Sequence, residues 1–99
     1  MELVKLLLEK GANPRDKNND GFTSLMAAAC SGNLDIVKLL LEKGARLSDV
    51  SDSGYTSLMW AARFGHLEVV KVLLEKGADK NIEDKIGRTA LGYAEFSYK

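Results

Sequence analysis

Apolar residues recur three and four positions apart in two long segments of the chain, and polar stretches separate these segments. Residues 34–43 and 67–76 both show this spacing, which places the apolar side chains on one face of a helix. An acidic residue stands in the first turn of each segment, Asp35 and Glu68, where the helix dipole favours a negative charge. The pattern predicts an amphipathic helix over each segment.

The sequence repeats itself every 33 residues. The phrase LLLEKGA begins at Leu6 and again at Leu39, and residues 20–52 and 53–85 are identical at about half of their aligned positions. Glycines stand at the same place in successive units: Gly21, Gly54 and Gly87. A fixed period of this length indicates stacked units, each of which buries its apolar face only against its neighbours.

Each unit is predicted to contain a first helix, a short loop, a second helix and a long turn. A threonine that can cap the first helix by accepting a backbone N–H precedes it: Thr23, Thr56 and Thr89. Gly32 and Gly65 follow the first helix and tolerate the left-handed conformation that ends it. The long turns contain a polar residue that can bond to the local backbone: Asn18, Ser51 and Asp84.

Two segments, residues 64–78 (FGHLEVVKVLLEKGA) and 77–91 (GADKNIEDKIGRTAL), closely resemble the ankyrin repeat. The resemblance covers essentially the whole chain and implies an all-α repeat solenoid, in which hairpin-like turns join stacked helix-turn-helix units. The family's proline is replaced by Ser24, Ser57 and Ala90, and its histidine by Met26, Met59 and Gly92. These departures lower the expected stability of the repeats, because proline presets the first helical turn and glycine weakens a helix.

The repeats form one predicted domain, residues 1–99, in which not every unit is complete. Residues 20–52 and 53–85 are full repeats, whereas residues 1–19 align with the second half of a repeat and residues 86–99 with the first half. The apolar faces at the two ends are therefore expected to lack a partner. Two interpretations stay open: the chain is a structural segment of a longer ankyrin scaffold, or it associates head to tail through these uncapped ends.

Charge and cysteine content narrow the choice of partner and compartment. Fourteen basic and fourteen acidic residues cancel, so the chain has no general attraction to nucleic acid or to an anionic membrane. The apolar runs are too short to cross a membrane. Cys30 is the single cysteine and cannot form an intrachain disulfide, which favours a reducing compartment. We therefore expect neither nucleic acid nor a membrane as partner, and an intracellular, cytoplasmic location.

Catalytic and cofactor motifs are absent from the sequence. A nucleophilic pair of Cys30 and His66, the single histidine, is conceivable. However, these residues occupy different positions in neighbouring repeats, and no third group is placed to orient the imidazole. A metal site would need more cysteine or histidine ligands than the chain has. The sequence therefore predicts that the chain is not an enzyme and that it has neither a cofactor nor a metal site.

The resemblance implies a non-catalytic module that binds another protein through its hairpin tips and the concave face of its first helices. Carried over position by position, the partner-binding residues are Asn19, Asp20, Phe22, Asp52, Ser53, Tyr55, Arg63, Phe64, Lys85, Arg88 and Phe96. Aromatic residues and arginine, which dominate interface hot spots, are frequent in this set. Alternatively, Phe22 and Tyr55 pack against adjacent hairpins, and Trp60, which aligns with Ala27 and Tyr93, is expected in the core.

Overall fold

The computed structural model describes residues 2–97, with the side chains of residues 2–95. The described part of the chain consists of helices and turns, which confirms the predicted all-α repeat fold. In chain order the helices are α1 (Glu2–Glu9), α2 (Ser24–Ser31), α3 (Leu34–Glu42), α4 (Ser57–Arg63), α5 (Leu67–Glu75) and α6 (Ala90–Ser97). The first helices of the units are α2, α4 and α6, and the second helices are α1, α3 and α5.

Residues that the sequence predicts as helix caps lie at the ends of these helices. Thr23 and Thr56 each accept a hydrogen bond of 3.2 Å from the backbone N–H three residues ahead, at the start of α2 and of α4. The second helices end at Glu42 and Glu75, one residue earlier than the apolar pattern predicts, because Lys43 and Lys76 form the caps. Gly32 ends α2 with φ of 72°, in the left-handed region that glycine enters without strain.

His66 shows why a glycine stands at position 32. Its ring lies against the preceding repeat, and its Nε2 is 2.9 Å from the carbonyl oxygen of Cys30. A Cβ atom at Gly32 would lie 2.5 Å from Nδ1 of this ring. The equivalent residue one repeat earlier, Asn33, instead caps its own helix by accepting from Ile36 N at 3.1 Å. The histidine therefore joins two repeats, whereas the asparagine stabilises one.

A continuous core runs through the repeats between the first and the second helices. On the first-helix side, α4 packs between α2 and α6, and on the second-helix side α3 packs against α5. The largest fully buried side chains come from both layers: Leu25, Met26, Val37, Leu40, Met59, Val69 and Leu73. Buried alanines lie between them on the first helices: Ala28, Ala29, Ala61 and Ala62. These small side chains allow the first helices to approach closely, so their connecting turns also come together.

The hairpin-like turns form a joined edge beside the first helices. The backbone N–H of Asp52 donates to the carbonyl of Asp20 at 2.9 Å, and the N–H of Lys85 donates to the carbonyl of Ser53 at 3.2 Å. Each turn is also held locally by its predicted polar residue: Asn18, Ser51 and Asp84 all accept from backbone N–H groups within their own turns. Neighbouring tips are thus held in fixed positions relative to one another.

The two ends of the solenoid expose apolar surface. Helix α1 buries no side chain, and Leu3 and Leu7 are 68% and 52% exposed. At the opposite end, a groove of about 260 Å³ runs between α5 and α6 and is lined largely by apolar side chains. Leu67 and Leu91 line this groove and are 54% and 70% exposed. Within residues 2–97, none of the helices is both long enough and apolar enough to cross a membrane.

Candidate functional site

A row of aromatic rings crosses the face formed by the first helices and the hairpin turns. In spatial order it contains Phe22, Trp60, Tyr55 and Tyr93, and we call these four residues the aromatic stripe. The ring centroids of successive members are 5.6, 4.5 and 5.1 Å apart. Such distances are in the range of favourable aromatic pairs. The stripe therefore links three successive repeats through direct ring contacts.

The repeat itself explains how these rings meet. Phe22 and Tyr55 follow the tip glycines of successive hairpins, and Trp60 and Tyr93 occupy one position in successive first helices. Since each hairpin lies beside the first helix of the next unit, residues from the two sets alternate along the stripe. Phe22, Tyr55 and Trp60 are half-buried, and Tyr93 is only 3% exposed. The stripe is thus more deeply buried at its Tyr93 end.

Arg63, in the last turn of α4, lies over the aromatic stripe. Its Cζ atom is 5.7–6.0 Å from the centroids of four rings: Tyr55, Trp60, Phe64 and Tyr93. Phe64 extends the surface, because its ring is nearly parallel to that of Trp60 at 6.2 Å. Cations are attracted to aromatic faces at such distances. Arg63 and Phe64 are both exposed, and the half-buried rings support them.

A chain of hydrogen bonds connects Arg63 to a buried carboxylate. Arg63 Nη1 donates to the Tyr55 hydroxyl at 3.2 Å, and the hydroxyl oxygens of Tyr55 and Tyr93 are 2.7 Å apart. Tyr93 donates its single hydroxyl proton to Oδ2 of Asp84. Because that proton is used, Tyr55 must be the donor between the two tyrosines. The direction of donation therefore runs from Arg63 through both tyrosines to Asp84.

Asp84 is held as a carboxylate although it is only 7% exposed. Its Oδ1 accepts from the backbone N–H groups of Ile86 and Arg88, at 3.0 and 2.9 Å. Burial acts to raise the pKa of Asp84, but the hydrogen bond from Tyr93, these two N–H groups and the Arg88 charge together lower it below its usual value. Burial and the bonds to Asp84 and Tyr55 raise the pKa of Tyr93, so it keeps its proton.

Comparison with known proteins agrees with this architecture. A family model for ankyrin repeats (three copies) matches residues 1–84 and 47–97. The chain belongs to the ankyrin repeat family. Members of this family are generally protein-interaction modules and generally non-enzymatic. Among the curated proteins, no match was found.

The structure brings most of the residues predicted to bind a partner to one side of the ankyrin repeats. Arg63, Phe64, Phe22 and Tyr55 belong to the aromatic stripe or contact it, and Arg88 lies 5.6 Å from the ring of Tyr93. The polar residues of the tips are exposed along the joined edge: Asn19, Asp20, Asp52, Ser53 and Lys85. The remaining candidate, Phe96, lies in α6, but its side chain is outside the described residues.

Trp60, Tyr93 and Asp84 belong to the candidate site but are not among the residues that the sequence predicts to bind a partner. Trp60 was expected in the core, and it does pack against the core, yet it is half-buried and also forms the centre of the aromatic stripe. Its Nε1 is buried without a hydrogen-bond partner among the described residues. The available signal was the repeat alignment, because position 60 aligns with position 93 and both are aromatic.

The conceivable nucleophilic pair does not form. His66 Nε2 contacts the backbone carbonyl of Cys30 rather than its thiol. Burial raises the pKa of the Cys30 thiol, and the nearby Arg63 charge only partly opposes this, so the reactive thiolate is disfavoured. In the part of the chain that the structure describes, no cluster of three or more histidine, cysteine or acidic residues could hold a metal ion.

We predict that Asp84→Asn makes the stability of the protein less dependent on pH on the acid side. The pKa of Asp84 is lower in the folded protein than in the unfolded chain, so the unfolded chain binds more protons. This stabilisation is present above the unfolded value of about 4 and is lost as pH falls through the folded-state pKa. Urea unfolding at several pH values between about 2 and 6 measures the effect.

Tyr93→Phe is the companion variant, because it removes one of the bonds that lower the pKa of Asp84 and retains the two backbone N–H donors. Its pH dependence should be intermediate between those of the wild type and Asp84→Asn. Equal slopes for all three proteins would contradict the role of Asp84 as a paired, buried carboxylate.

Proposed function

We propose that this chain is a non-catalytic protein-interaction module whose contact surface consists of Arg63, Phe64, the exposed parts of the aromatic stripe and the hairpin tips. The observation that carries the proposal is the seating of two exposed side chains, Arg63 and Phe64, on half-buried rings. Arginine and aromatic residues contribute most to binding when a partner covers them completely. A supported pair of these residues, exposed beside the hairpin tips, is a suitable anchor for a partner protein.

The surroundings of this anchor also resemble an interface. Polar tip residues stand on one side of it, among them Asp20, Asp52 and Lys85, and they are exposed along the joined edge. Protein interfaces commonly have an apolar and aromatic centre with a polar, solvent-accessible rim. In this arrangement Arg63 and Phe64 provide binding energy, whereas the tips provide shape and selectivity.

Other classes of function have less support. The His66 ring is engaged with a backbone carbonyl, and the balanced charge of the chain favours neither nucleic acid nor an anionic membrane as partner. The partner in this proposal is therefore another protein, and the module does not catalyse a reaction. The lone, partly buried cysteine is consistent with an intracellular, cytoplasmic location.

The double variant Arg63→Ala/Phe64→Ala should lose partner capture without unfolding. Both side chains are exposed, so their removal leaves the core intact, while loss of two hot-spot residues should weaken binding at least tenfold, or about 1.4 kcal/mol. The immobilised protein is used to capture partners from a cell extract, bound proteins are quantified by mass spectrometry, and circular dichroism verifies folding.

A matched control is Arg46→Ala/Val50→Ala, which removes an exposed arginine and an exposed apolar residue that lie outside both the aromatic stripe and the groove between α5 and α6. This control should retain the proteins captured by the wild type. If both double variants capture the same proteins as the wild type, the surface around Arg63 and Phe64 is not the binding surface.

A second candidate function is head-to-tail self-association, and the apolar surfaces at the two ends favour it. Leu7 of α1 aligns with Leu40 and Leu73, which are 1% and 0% exposed, yet Leu7 itself is 52% exposed. The groove between α5 and α6 lies where the second helix of the repeat that α6 begins would pack, as α3 packs on α2 and α5 packs on α4. In this proposal α1 of a second copy occupies the groove, which gives an open, heterologous assembly.

Leu91→Glu should block this association, because it places a charge in the groove. Sedimentation velocity over a wide range of concentrations should show the average mass of the wild type rising with concentration, while Leu91→Glu stays monomeric. Ile86→Glu is the matched control, since Ile86 has the same 70% exposure as Leu91 but lies at a hairpin tip. A wild type that is monomeric at every concentration contradicts self-association.

A further inference from the structure

The positive charge of Arg63 is not neutralised by a carboxylate among the described residues. The ion pairs in the described part of the chain lie elsewhere, between Lys17 and Asp49 at 3.9 Å and between Lys71 and Glu68 at 3.7 Å. Asp84 belongs to the same hydrogen-bonded chain as Arg63, but two tyrosine hydroxyls separate them. Arg63 therefore presents a cation at the surface.

The guanidinium of Arg63 is held in place and still has donors to offer. One Nη1–H bonds to the Tyr55 hydroxyl, and the surrounding rings restrict the position of the group. An arginine has five N–H donors in a planar fork, so most of them stay available here. This fork matches the two oxygens of a carboxylate and can bond to both at once.

The surroundings of the guanidinium are aromatic. Phe64 is 50% exposed and stacks on Trp60, and the half-buried Phe22 contacts the same indole edge-on. A partner residue that covers these rings would also exclude water from the guanidinium. Because charges attract more strongly where water is excluded, a carboxylate and an apolar group would reinforce each other's binding.

We propose that the partner protein contacts this surface with an aspartate or glutamate side chain that stands next to an apolar residue. The carboxylate pairs with the guanidinium of Arg63, and the apolar residue covers the ring of Phe64. This inference rests on the proposed function and identifies the chemistry of the partner at the same surface.

Selection from a random peptide library displayed on phage tests the proposal without knowledge of the natural partner. Peptides that bind the wild-type protein are sequenced, and a representative peptide is synthesised in two forms, one with its acidic residue and one with the corresponding amide. Both forms are titrated by fluorescence anisotropy against the wild type, Arg63→Gln, Arg63→Lys and Phe64→Ala.

Selected peptides should contain an acidic residue beside an apolar one. On the wild type, changing the carboxylate to the amide should weaken binding at least tenfold, whereas on Arg63→Gln the two forms should bind equally. Arg63→Lys keeps the charge without the planar fork and should restore only part of the preference. Circular dichroism of each variant verifies that the repeats are folded.

The outcomes separate this inference from the proposed function. One outcome is that the peptides bind Phe64→Ala weakly but bind Arg63→Gln as tightly as the wild type. This result would support the interaction surface and would contradict the proposal that the partner contributes a carboxylate. A library that yields no peptide sensitive to either residue would contradict both. If inorganic phosphate alone displaces the peptides completely at millimolar concentration, Arg63 is a general anion site, and the preference for a protein carboxylate is wrong.

Discussion

The close approach of the first helices determines the arrangement of the rest of the molecule. Buried alanines such as Ala28 and Ala61 allow α2, α4 and α6 to pack side by side. The turns that precede these helices are then near enough to exchange backbone hydrogen bonds at their tips. Every group of the candidate site comes from this layer, so the site is a consequence of how closely the repeats stack.

Burial decreases in steps from the core to the candidate surface, while each side chain along the way is bonded to a more deeply buried one. Tyr93 is buried and bonded to Asp84, Tyr55 is half-buried and bonded to Tyr93, and Arg63 is exposed and bonded to Tyr55. A free arginine side chain has about 2 kcal/mol of rotamer entropy to lose when it is fixed by a partner. In this structure the stripe restrains Arg63 before binding, so less of that entropy remains to be lost on association.

The sequence predicted the fold well, because the features that specify it are local and repeated. The threonine caps, the tip glycines and the apolar period of the second helices each act within a few residues and recur every 33. The hydrogen-bonded chain was not predictable in this way. Tyr55 and Tyr93 are 38 residues apart, and the bond between them depends on the spacing of whole repeats.

Alignment of the repeats placed Phe22 and Tyr55 at equivalent positions, but it did not show which rings they contact. Both are half-buried in the stripe, and neither position alone indicates whether a ring supports its neighbours or faces a partner.

The contacts of Arg63 with the aromatic stripe should hold its side chain in place in the free protein. The order parameter of the Arg63 Nε–H bond, from ¹⁵N NMR relaxation, measures this restraint. We predict a value near 0.8, close to that of rigid backbone and well above that of the exposed Arg46, whereas a value below about 0.6 would show that the stripe does not restrain Arg63.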